Sequence, residues 1–222
     1  GKQFGRVGAV TEQMVLAARY KEGMKMLHRP DLFSWADFDE ARNVDFNSVL
    51  WVREDGNVVF DPMPQRPHDR AHLLSLGGAA WIVITNSDHI RDAVELAAVT
   101  GAKIAAPAAE KGHPDLSADV WLADGDSLVD GLKVVALEGS KTPGELAFVL
   151  DSTTLITGDL VRAHRAGTLM ILPDAKLADR SAAAASVRRL AAMTEIEVVL
   201  VGDGWPIFRQ GSAALTALAA GL

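Results

Sequence analysis

Apolar runs of strand length in this chain stop abruptly on clusters of carboxylate, amide or glycine. That habit constrains the fold more than any other feature. Trp81-Ile82-Val83-Ile84 runs into Thr85-Asn86-Ser87-Asp88-His89-Ile90-Arg91-Asp92, and Thr153 to Ile156 into Thr157-Gly158-Asp159. Val198-Val199-Leu200-Val201 runs into Gly202-Asp203-Gly204-Trp205-Pro206, and Glu138-Gly139-Ser140-Lys141-Thr142-Pro143-Gly144-Glu145 turns between two further strands. A strand apolar at every position is buried on both faces. Its polar end is therefore where such a strand can offer chemistry.

The runs alternate with hairpin and helix signals. Asn47 to Val52 and Val58 to Asp61 flank Glu54-Asp55-Gly56-Asn57, which predicts a β-hairpin. Pro62, Pro64 and Pro67 stop the second arm ahead of a short helix from Asp69 to Leu76. Asp88 to Thr100 reads as a helix ended by Gly101, and Lys103 to Ala106 as a strand. Asp124-Gly125-Asp126 predicts a hairpin whose second arm is Leu132 to Leu137, and a further hairpin folds over Asp151-Ser152. Helices follow at Arg180 to Met193 and Ala213 to Ala220. Hairpins mixed with αβ units in both halves predict an α/β (α+β) fold, two mixed sheets packed together with helices outside. Residues 1–26 read as an appended helix with Thr11 as N-cap, ahead of a single domain at 27–222.

Composition limits the chemistry. With no cysteine among 222 residues, disulfides, thiolate catalysis and sulfur-ligated metal sites are excluded. The formal charge of −7, from 22 basic and 29 acidic side chains, argues against a nucleic-acid surface. No stretch approaches the roughly 18 to 20 apolar residues of a membrane span. Thr11 to Met26 is broken by Glu12, Arg19, Lys21, Glu22 and Lys25, so no signal-peptide pattern is present and a cytoplasmic location is the expectation.

Taken in order, these strand ends resemble the metallo-β-lactamase superfamily, whose fold is a four-layer αββα sandwich of hydrolases holding one or two metal ions. The family pattern has a strand ending in Thr, then H-x-H-x-D-H, a G-H-T-x-G turn, a strand ending in G-D and a last G-H-G loop. Order and strand context match over roughly residues 45–205. Val59-Phe60-Asp61-Pro62 also resembles the family's strand ending in I-D, and Asp124-Gly125-Asp126 with Gly131 its D-G-D hairpin.

The ligand positions depart from that pattern. Ser140 stands in the G-H-T turn and Asp203 in the last loop, while Asp159 keeps the bridging carboxylate. The first loop aligns in two ways. Ungapped, the pattern's ligands fall on Asn86, Asp88, Ile90 and Arg91; with a two-residue deletion, Asp88-His89-Ile90 matches D-H-I. The resemblance thus implies a metal set of Asp88, His89, Asp159 and Asp203. Such an oxygen-rich set favours Mg²⁺, Mn²⁺ or Ca²⁺ over the Zn²⁺ that imidazoles prefer. The alternative is no metal: Arg91, whose guanidinium cannot lose its proton, pairs with Asp159 or Asp203 in place of the ion's charge.

Plainer readings stand beside these. Asn86, Ser87 and Asp88 are good capping residues, His89 and Arg91 can be solvated helix residues, and Asp203 can hold its own loop as an Asx-turn. Ser140 and Thr142 fit a Pro-Gly bend, and His68 and His72 fit a solvated helix face. Arg162-Ala163-His164-Arg165 follows the Asp159 turn and should overhang the same pocket. Asn86, Arg91, Ser140, Lys141, Thr142, Arg162 and His164 are therefore the expected pocket lining, and a small, anionic ligand the expected partner. Self-association into a homo-oligomer is left open. Two functions follow: a metal-dependent hydrolase, or a metal-free member acting in binding or structure.

Overall fold

The computed structural model describes residues 23–222. A mixed sheet of seven strands has the order β1 (Lys25–Met26), β2 (Leu32–Asp39), β3 (Val44–Trp51), β4 (Val58–Phe60), β5 (Trp81–Val83), β6 (Lys103–Pro107), β7 (Val120–Leu122). Pairing is antiparallel from β1 to β4 and parallel from β4 to β7. Helices α1 (Pro67–Ser75) and α2 (Ala93–Thr100) make the first two parallel crossovers, and a 3₁₀ turn over Ala108–Glu110 lies in the third. The second sheet takes β8 (Leu132–Leu137), β9 (Glu145–Leu150), β10 (Thr154–Ile156) and β13 (Val198–Leu200). There β10 pairs with β13 in parallel and with β9 antiparallel. β11 (Val161–Arg165) and β12 (Thr168–Ile171) form a separate ribbon, and α3 (Arg180–Ala191) and α4 (Gly211–Ala220) cover the second sheet.

The uninterrupted apolar strands have the burial that their composition predicts, because alternate residues serve two different cores. Val58, Phe60 and Val83 point between the sheets, where they meet Leu146, Phe148, Leu150, Val198 and Leu200. Their neighbours Val59 and Ile82 point the other way, onto Leu73 of α1 and Leu96 of α2. In the second sheet Ala147, Val149 and Val199 pack against Val187 and Leu190 of α3 and Leu215 of α4. The result is the expected order of layers, helix, sheet, sheet, helix.

Three expectations are corrected. Asp124–Asp126 is not the tip of a hairpin within one sheet, since β7 pairs with β6 and β8 with β9; the turn carries the chain from one sheet to the other. The helix expected from Asp88 begins only at Ala93, preceded by a 3₁₀ turn over Ser87–His89, because Arg91 has φ 48° and cannot continue a right-handed helix. His72 is buried rather than solvated, its ring edge-on to Phe33 at 5.3 Å. Most of the appended helix expected over 1–26 lies outside the described residues, and Lys25–Met26 is a strand. Among the described residues no helix is long and apolar enough to cross a membrane.

Phe148 is fully buried between the sheets, 5.4 Å from Phe60. Phe148→Ala is expected to cost about 3–5 kcal/mol in denaturant unfolding, against less than about 0.5 kcal/mol for the exposed Phe38→Ala. Equal effects would mean that this interface is not the principal core.

Candidate functional site

The parallel strands β4, β5, β10 and β13 end on the same side of the sandwich, and Asp61, Thr85, His89, Asp159 and Asp203 follow those ends. Two glycines allow the ends to meet. A Cβ on Gly158 would lie 2.5 Å from Thr85 Oγ1, and one on Gly202 2.9 Å from the Gly158 carbonyl and 3.1 Å from the His89 ring. The spacing that sequence reads as "strand, glycine, carboxylate" is therefore a packing requirement.

Asp61 is the hub on the seven-stranded sheet. It accepts the Thr85 backbone N–H on Oδ1 (2.8 Å) and the Thr85 hydroxyl on Oδ2 (2.6 Å). His89 Nδ1 lies 2.7 Å from the same Oδ2, and His89 Nε2 lies 3.2 Å from Asp159 Oδ1 on the other sheet. Carboxylates only accept, so both ring nitrogens donate and the ring is an imidazolium. Burial opposes that charge, but Asp61 and Asp159 overcome it and lift the His89 pKa to about 10. Burial likewise opposes ionisation of Asp159, while His89 and Lys141 hold it well below the ordinary carboxylate range. His89 is therefore neither exposed nor a simple helix residue.

Three fixed cations complete the cluster. Arg162 Nη2 sits 3.3 Å from Asp159 Oδ1 and 3.2 Å from Asp203 Oδ2. Lys141 Nζ lies 2.8 Å from Asp88 and 3.1 Å from Asp159 Oδ2. Arg91, turned inward from its left-handed backbone, donates to the Asn47 and Asp61 carbonyls at 2.7 and 2.9 Å and lies 3.8 Å from Asp203. Burial, with the neighbouring Asp159 charge, raises the Asp203 pKa above its ordinary value. Behind them Glu145, fully buried, accepts the backbone N–H groups of Asp159 and Leu160 and so fixes the Asp159 turn. Burial and the charge of Asp159 push Glu145 up to about 7.

The expected residues divide accordingly. His89, Asp159 and Asp203 converge, with one ligand atom from each within 4.8 Å of the others. Asp88 does not join them; it is half exposed and turned to Lys141. Asn86 is buried and caps the 3₁₀ turn by accepting the Asp88 N–H, and Ser140 is buried beside Glu145. Thr142 donates to the Gly144 carbonyl, as a plain turn residue does. None of these last three lines the pocket, whereas Asp88, Arg91, Lys141, Arg162 and His164 do. Arg162 and His164 lie on β11 at alternate positions, which puts both on the pocket side. Asp61 and Glu145 were missed as site residues. Asp61 carried a signal, a carboxylate ending an apolar strand; Glu145 carried only its place within the Gly139–Glu145 turn.

A divalent ion fits this arrangement poorly. A carboxylate holding the far nitrogen of a histidine, as Asp61 holds His89, is the usual support of a metal ligand. Charge decides the other way. Asp159 and Asp203 already face Arg162, Lys141 and Arg91. Each unit-charge repulsion at about 4 Å costs about 4 kcal/mol at an effective dielectric near 20, and a dication doubles it. An ion bound there would sit among these three cations, although Asp203 Oδ1, opposite the oxygen that Arg162 engages, is buried without a hydrogen bond.

A family model described as the metallo-beta-lactamase superfamily matches residues 24–222. The metallo-beta-lactamase from Pontibacter korlensis superposes with a TM-score of 0.69 at 14% identity, covering 91% of this chain and 100% of that one. That from Erythrobacter litoralis gives 0.67 at 15%, covering 89% and 92%. FIM-1 from Pseudomonas aeruginosa, solved in its mono-zinc form, gives 0.65 at 15%, covering 86% and 90%. At these identities the likeness shows the fold. No curated protein matches.

The His89 proton supplies a test. Its folded pKa of about 10 exceeds the ordinary 6.5, so its stabilising contribution is complete below about pH 6.5 and is lost as pH rises through about 10. Unfolding free energy should fall between pH 7 and 10, with a shallower fall in His89→Gln. Identical slopes in the two proteins would contradict the imidazolium assignment.

Proposed function

The chain belongs to the metallo-β-lactamase superfamily, and on that premise we propose that it is a metal-free member whose pocket binds a small anionic molecule. One observation carries this reading: a single guanidinium, that of Arg162, lies between Asp159 and Asp203, the two carboxylates best disposed to hold an ion. The positive charge that a metal would bring is already built into the chain. Arg162 fills that role more directly than Arg91, which spends two of its hydrogen bonds on backbone carbonyls.

Charge distribution supports an anion as the ligand. Arg42, Arg91, Lys141, Arg162 and Lys176 line the pocket against Asp88, Asp159 and Asp203, while the chain as a whole carries −7. In a chain of net negative charge, such a cationic cleft is where a small anion is favoured over the rest of the molecule. Without a metal, no group in the cluster generates a hydroxide, and fold alone does not carry hydrolysis over to this chain.

The competing reading is hydrolysis of an ester, amide or phosphoester by an ion on His89, Asp159 and Asp203. It is favoured by their convergence within 4.8 Å and by the unbonded Asp203 Oδ1, and would place the ion beside Arg162. Elemental analysis before and after chelation, and after soaking with zinc, manganese or magnesium, separates the two. Metal below about a tenth of an equivalent throughout is expected, with inorganic phosphate raising the unfolding temperature. One equivalent that chelation removes would overturn the proposal. Arg162→Ala, which leaves two buried carboxylates short of a cation, is expected to cost about 3–5 kcal/mol of stability and to abolish the phosphate effect.

A further inference from the structure

The pocket extends well past its ion-paired floor. At about 700 Å³ it has the size of an organic-ligand site and exceeds what a bare oxyanion needs. The cations that line it also continue outward. On one wall Arg162 is buried while His164 and Lys176 are exposed, and His164 lies within the electrostatic reach of both cations. On the wall supplied by the seven-stranded sheet, Phe46 of β3 has the buried Arg91 guanidinium 5.8 Å from its ring centroid and the exposed Arg42 guanidinium 5.7 Å from it.

Positive charge is thus provided at two levels, with the Phe46 ring near both Arg91 and Arg42, and Val44, Met63 and Pro173 add further apolar lining to the pocket. The rim cations are poorly neutralised. Lys176 has no carboxylate paired with it among the described residues, and Arg42 meets only Asp39, in an exposed pair of the weak kind. At the floor, Lys141 remains partly exposed, and Arg162 holds its carboxylates through Nη2 alone, leaving Nη1 for another acceptor.

We propose that the ligand is an organic molecule bearing two anionic groups separated by an apolar span, one group held at the floor by Lys141 and Arg162 and the other at the rim by Arg42 and Lys176. The proposal rests on the metal-free anion site above. Carboxylate and phosphate both present oxygens that guanidinium and ammonium groups recognise, and that shared chemistry is what the two levels select.

Calorimetric titration of the full chain at low ionic strength tests this. The probes are inorganic phosphate, straight-chain monocarboxylates, dicarboxylates of increasing length, and phosphorylated carboxylates of matching span. The best bifunctional anion is expected to bind at least about tenfold more tightly than phosphate or the monocarboxylate of equal length, about 1.4 kcal/mol. The dicarboxylate and phosphorylated arms identify which anionic group each level prefers. In the double variant Arg42→Ala, Lys176→Ala, that advantage should vanish; the unfolding temperature checks that this variant is folded. Phosphate binding with no gain from a second anionic group would overturn the two-level ligand and leave the metal-free site standing. Equal weakening of phosphate and bifunctional anions in the double variant would do the same. No anion binding, with stoichiometric uptake of zinc, would overturn both.

Discussion

The interaction on which the rest of the site depends is the double hydrogen bond of His89, from Asp61 on one sheet to Asp159 on the other. It holds a protonated ring where burial alone would drive the proton off, and that is possible only because a carboxylate faces each nitrogen. Much of the local backbone serves this geometry. Gly158 and Gly202 let the strand ends approach the ring, and Glu145 grips the turn that aims Asp159. The left-handed backbone at Arg91 interrupts the helix and sends a second cation inward.

Buried charge explains why the cluster is so heavily ion-paired, although Asp203 Oδ1 and Glu145 Oε2 are left without a hydrogen bond. A lone carboxylate in such a position would have to take up a proton or acquire a cation. Asp159 and Asp203 have acquired several, from Arg162, Lys141, Arg91 and His89. Structural likeness at 14–15% identity identifies the sandwich and leaves the chemistry to the side chains.

The layers were legible in the sequence because strands such as Trp81–Val83 and Val198–Leu200 are apolar on both faces, and only a sheet between two cores wants that. The position of the site was legible as well, since each polar cluster sat at a strand end. The pairing within it was not. Nothing local distinguishes Asp88, which turns outward to Lys141, from His89 next to it, which turns inward; the choice is made by Asp61 and Asp159, 28 and 70 residues away. The Asp124 turn misled for a related reason. Its residues specify a reversal of direction, while the sheet that receives the next strand is decided by how Leu132 and Val134 pack.

That crossing has a consequence for how the molecule assembles. Each sheet is drawn from one contiguous stretch of chain, residues 25–122 and 132–200. Most strand pairing within each half joins neighbours in sequence and is kinetically accessible early, whereas contacts between the halves wait on their docking. Three ion pairs of the site, His89 with Asp159, Arg91 with Asp203 and Lys141 with Asp88, each take one partner from either half. Correct docking is thereby written into electrostatics as well as packing, since a slipped interface would leave the buried charges of His89, Asp159, Arg91 and Asp203 unpaired. The pocket doubles as the key that registers one half of the protein against the other.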